Sequence, residues 1–259
     1  MANTNTQLLE YGDIYFFYRP RVGLQQAQDI EDVQRLYLLL HPRDKKQLYR
    51  LAIVGEKRLP ELQSPGSDPY RRTWAFIWKI GTNAESVEDE LDREVYGTST
   101  RGERELAPAR PAGEGVYGII EHEGAHTHLA YILELPRQPG AVQETLGLHP
   151  RASYIITVKN PEQPSPPGVG LPPREKAAYP DSLRERFGRL RFIPAKPTEL
   201  LDYEGAEFVL IGASSDAEGE LGIELPVETE DEITAEIFRD LKVEREEHPL
   251  APLFKGEWT

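Results

Sequence analysis

The chain reads as an α+β protein, with an antiparallel β-rich N-terminal part and a smaller α/β-like C-terminal part. Three observations lead there. Aromatic and branched apolar runs of strand length recur up to about residue 160. A proline-dense stretch, PEQPSPPGVGLPPREKAAYP, then occupies 161–180 and suits neither helix nor central sheet. Beyond it, short helical and strand-like segments alternate, the pattern of an α/β unit. The expected organisation is a β-rich domain over 1–160, a Pro-rich linker or strap over 161–180, and a smaller α/β-like part over 181–259.

The elements follow in order. GDIYFFYRPRV is apolar on both faces, as a strand covered on both sides should be. RLYLLLHP and LYRLAIVGEKRLP give two more strands, and TWAFIWKI a fourth. AESVEDELDREV predicts a short helix with Val87, Leu91 and Val95 on one face. YGTSTRGERELAPARPAGEG reads as a long polar connection. A hairpin follows, GVYGIIEHE and HTHLAYILELP, then the helix AVQETLGL and the strand ASYIITVKN. Past the prolines, DSLRERFG and PTELLDYEG predict helices, and RLRFIP and AEFVLIGA strands. Thr229 and Glu232 form a capping-box pattern ahead of Ile233, Ile237 and Leu241, which predicts a last, acidic helix. The apolar residues of the tail, Leu250, Leu253, Phe254 and Trp258, predict docking on the same chain or on a second subunit.

Charge narrows the function classes. The net charge is −14, and 216–247 holds thirteen Asp/Glu against three Lys/Arg. Such a chain repels a phosphate backbone, so no nucleic-acid partner is expected. Arg101, Arg104 and Arg110 are the candidate ligand-binding set, able to grip an anion, although their acidic neighbours make a solvated loop the preferred reading. With no cysteine, disulfides, thiolate metal sites and cysteine nucleophiles are excluded. The N-terminal residues lack a secretory pattern, and no apolar run approaches the roughly 20 residues of a membrane span. The expectation is a soluble, cytoplasmic protein with no membrane partner.

GEGVYGII matches the glycine pattern of nucleotide-binding loops. A strand follows it, where a dinucleotide fold needs a helix, and no lysine, HRD or DFG motif accompanies it as a kinase requires. The glycines are read instead as relieving a tight strand start. No phosphate loop, GxSxG elbow or HExxH helix is present.

The hairpin carries the one candidate metal set. With Gly124 and Ala125 as a two-residue turn, Glu123 faces His126 and Glu121 faces His128. Alternation then puts Glu121, Glu123, His126 and His128 on one face and His122 on the other. Histidines and carboxylates at that spacing suit a divalent metal, the candidate cofactor. The blander and preferred reading is solvated cross-strand Glu–His pairs.

IYFFYRPRV, VGEKRLP, TRGERELAPARPAGEGVY, HTHLAYILELP, SYIITVKNP and LLDYEGAEFVLIGA together resemble a family of uncharacterised bacterial proteins. The resemblance implies a bacterial origin and brings no activity, cofactor or site residue with it. On the residues alone, the expected function is binding or assembly without catalysis, with a protein partner or self-association. The alternative is a metal-dependent enzyme with a His/Glu site on the 115–135 hairpin.

Overall fold

The computed structural model describes residues 6–45, 47–63, 72–98, 102–122, 124–166, 168–215, 221–222, 225–227, 235–237, 241 and 248–259. β1 (Thr6–Pro20), β2 (Val33–Pro42), β3 (Tyr49–Val54) and β4 (Arg72–Gly81) form an antiparallel meander. A separate hairpin of β5 (Glu94–Thr98) and β6 (Gly102–Leu106) intervenes. β7 (Arg110–His122) pairs with the free edge of β1, β8 (His126–Leu135) with β7, and β9 (Arg151–Lys159) with β8. β11 (Glu207–Ser214) then fits between β9 and β4 and closes an eight-stranded, wholly antiparallel barrel. β10 (Phe192–Pro194) extends the β8 side of β9.

This overturns the α+β expectation. The C-terminal strands exist as read, but both pair antiparallel with β9 and belong to the barrel sheet. A parallel α/β unit needs a crossover of roughly a dozen residues or more, usually a helix. The helical pieces available, α3 (Asp181–Phe187) and the 3-10 turn Thr198–Leu201, are seven and four residues long. The polar stretch read as a connection holds the end of β5, all of β6 and the first residues of β7. Val87 and Leu91 are buried on α1 (Glu85–Leu91), whereas Val95 lies on β5 and is 60% exposed.

Alternation gives each barrel strand two faces. Residues from all eight strands meet in one buried cluster, among them Phe16, Leu38, Ala52, Ile77, Ile119, Tyr131, Ile156 and Leu210. That cluster is the barrel interior, and it is filled by side chains. The outer faces of β1 to β3 form a second cluster through Tyr15, Phe17, Tyr37 and Leu51. Val87 and Leu91 of α1, Leu253 of α4 (Ala251–Lys255), and Ile237 and Leu241 of the acidic segment cover it. The apolar tail therefore docks on its own chain, with Trp258 edge-on to Tyr18 at 5.1 Å.

Thr229, Glu232 and Ile233 lie outside the described residues. Further along, Leu241 N–H donates to Ile237 O at 3.2 Å, the spacing of a helical turn. Leu221 packs on Ile120 and Ala130, and Leu225 on Val116 and Ile132, so points of the acidic segment also touch the outer face of β7 and β8. No helix among the described residues is long and apolar enough to cross a membrane.

Candidate functional site

The β7–β8 hairpin closes through three residues, 123–125, so that His122 pairs with His126, Glu121 with Thr127 and Ile120 with His128. Gly124 takes a left-handed φ of 66°, and Ala125 N–H donates to His122 O at 3.1 Å. A two-residue turn would have shifted this register by one, and a one-residue slip moves every side chain to the opposite face. The face expected from the sequence is corrected accordingly. His122, His126 and His128 share the outer face, their ring centres 5.6 to 6.4 Å apart. Glu121 turns to the other face, where Lys196 Nζ donates to its carboxylate at 2.6 Å. Glu123 and Arg101 lie outside the described residues.

The three imidazoles differ in setting. His126 is exposed at the hairpin tip, and His128 is buried, with Nδ1 2.9 Å from Ser153 Oγ on β9. Burial, with His122 and His126 beside it, pushes the His128 pKa down to about 4, so its ring is neutral at physiological pH. His122 Nε2 is shut off from solvent and has no hydrogen-bond partner among the described residues.

Of the expected arginine set, Arg101 lies outside the described residues, and Arg104 and Arg110 lie on different strands. Arg104 sits on β6, opposite Tyr96. Arg110 opens β7 and is buried, donating through Nη2 to Gln25 O at 2.5 Å and through Nη1 to Pro108 O. Burial lowers its pKa.

Inside the barrel lies a charged set that sequence reasoning missed. Arg50 of β3 is fully buried, with Nε 2.7 Å from Asp202 Oδ1 and Nη2 2.9 Å from Glu10 Oε2. Tyr117 donates to Glu10 Oε1 at 2.8 Å, and Lys45 lies 3.1 Å from Asp202 and 3.5 Å from Glu10. These residues come from β1, β3, β7 and two loops, so no local pattern could have joined them. Their donors and acceptors are spent on one another, which suits a structural core rather than a ligand site.

A second missed feature is an aromatic strip on β4. Thr73, Ala75 and Ile77 point inward and are buried, which turns Trp74, Phe76 and Trp78 outward. Lys79 pairs with Leu51 and Ile77 with Ala52, so Trp78 sits at a bulge that re-aims it; it is 39% exposed. Phe76 and Trp78 are 6.3 Å apart, Trp74 and Phe192 5.9 Å. Guanidinium groups stand at both ends, Arg35 5.4 Å over Trp78 and Arg191 5.9 Å over Phe192.

The proline-dense segment crosses this strip. Its anchor is the buried Lys159–Glu207 pair, 3.4 Å apart, with Glu207 accepting from Leu171 N–H at 2.9 Å and Lys159 donating to Gln163 O at 2.8 Å. Two clefts, of about 530 Å³ and about 240 Å³, share Phe76 and Leu171 in their walls. The larger also meets Lys79, Arg174 and Lys176 on one hand and Glu90, Glu175 and Glu204 on the other, three charges of each sign. The pattern TWAFIWKI carried the signal for this strip: aromatic residues at every second position of a strand, on the face away from the non-aromatic residues.

No family model, curated protein or solved structure matches the chain. The bacterial resemblance drawn from its phrases gains no support from these comparisons.

Proposed function

We propose that the protein is a cytoplasmic binding or assembly protein that seats an extended, proline-containing segment of a partner protein on the outer face of β4. The observation that carries this reading is the strip Trp74–Phe76–Trp78, half-exposed between α1 and the proline-dense segment. Aromatic-lined grooves hold polyproline-type peptides because the ligand backbone is already stiff and loses little entropy on binding. The chain's own residues Gly168 to Leu171, within a proline-dense run, lie against Trp74 and Phe76 in the smaller cleft. The balanced charges of the larger cleft favour a neutral occupant over a polyanion. The filled barrel interior argues for a ligand outside rather than within.

Isothermal titration calorimetry tests this. Titration with decaproline should give saturable heat that Trp78→Ala abolishes while the variant still unfolds cooperatively. A saturable response to cellohexaose and none to decaproline would replace the peptide by a carbohydrate, since both stack on aromatic rings.

A further inference from the structure

We infer that His122, His126 and His128 form a binding site for one borderline divalent transition-metal ion, of the class of zinc, cobalt or nickel. The site lies on the β7–β8 hairpin and is independent of the β4 groove. It also differs from the carboxylate-containing set read from the sequence, because the register brings in His122 and removes Glu121.

Three imidazoles on one strand-pair face are a nitrogen-only ligand set. Such a set suits borderline metals and not calcium or magnesium, which need oxygen. Metal–nitrogen bonds of about 2.0–2.1 Å place the ring centres of three imidazoles on one tetrahedral ion about 5 Å apart. The observed separations of 5.6, 6.2 and 6.4 Å are wider by roughly an ångström. As they stand, no group of three His, Asp or Glu side chains among the described residues closes around an ion. Binding therefore requires the rings to draw together, and His126, exposed at the tip, is free to swing inward.

Two details favour closure. Ser153 holds Nδ1 of His128, which leaves Nε2 for the ion and fixes the ring, as outer partners of metal-bound histidines do. His122 Nε2 is buried without a partner among the described residues, a costly state that a metal bond would relieve. Glu121 is held by Lys196 on the other face, so the three ligands are neutral and a tetrahedral ion keeps one position open.

Cobalt(II) added to the metal-stripped full-length chain, without a histidine tag, tests the site. One ion per chain should bind and give visible d–d absorption of tetrahedral intensity. His122→Gln and His126→Gln should each weaken binding by about tenfold or more, and Glu121→Gln should leave it unchanged. Because His126 is exposed, its variant should keep the parent melting temperature, so a loss of metal there is not a loss of fold. The site is wrong if cobalt fails to bind stoichiometrically, if both histidine variants bind as the parent does, or if Glu121→Gln alone abolishes binding.

Discussion

Arg50 and Glu10 meet inside the barrel as a two-point pair, with Arg50 Nη2 2.9 Å from Glu10 Oε2 and side-chain exposures of 0% and 1%. Burying two charges is repaid only when each finds its partner, so removing one leaves the other stranded. Arg50→Met should cost about 3–5 kcal/mol in urea unfolding, and Glu10→Gln with Arg50→Met together should cost less than the sum of the singles. Strict additivity would show that the two side chains are not coupled.

The same pair sets an acid limit. Burial raises the Glu10 pKa, but Arg50, Tyr117 and Lys45 outweigh it and leave the carboxyl below its ordinary 4.5. The unfolded chain then binds the proton more readily than the folded one. The contribution is fully present above 4.5 and is lost as pH falls through the folded-state value. Melting temperatures followed from about pH 6 to about pH 3 should fall less steeply for Glu10→Gln than for the parent. Parallel curves would remove Glu10 from the acid transition.

Gly115 is required by the approach of two backbones. A Cβ there would lie 2.0 Å from Ile132 O and 2.8 Å from Leu133 Cα, beside the irregularity at Glu114/Gly115. Gly115→Ala should cost about 3 kcal/mol or more, because β7 and β8 must part. Gly124→Ala meets no atom within 4 Å and should cost only about 1–2 kcal/mol, for its left-handed φ. Equal losses would show that the contact at Gly115 is absorbed elsewhere.

The C-terminal segment is a structural part of the barrel. Leu253 is fully buried in the outer cluster, and Gln143 of α2 (Ala141–Leu146) donates to Pro252 O at 2.8 Å and to Ala112 O at 2.7 Å. Leu253→Ala should cost about 2–5 kcal/mol. Removing residues 248–259 should lower the melting temperature further while leaving the oligomeric state unchanged. A shorter chain that melts like the parent would mean the contacts contribute nothing.

Much of this molecule is written locally. Tyr15, Phe16 and Phe17 alternate between the outer and inner clusters, as a strand apolar on both faces requires, and TWAFIWKI separates its non-aromatic inward residues from its aromatic outward ones. The tail's apolar residues forecast docking, and they dock. These features are readable because side-chain direction in a strand depends only on the backbone period.

The partners are not local, and there the tertiary structure has the last word. β11 reaches β4 and β9 across long stretches of chain and turns an apparent α/β tail into the closing strand of a barrel. Glu10, Arg50 and Asp202 meet because closure brings β1, β3 and a distant turn to one interior. At the hairpin the difference is a single loop residue: three in the loop rather than two puts His122 beside His126 and His128 and sends Glu121 away. Sequence supplies the alternation, but its phase is set by which backbone groups pair, and that is fixed only when the whole sheet closes.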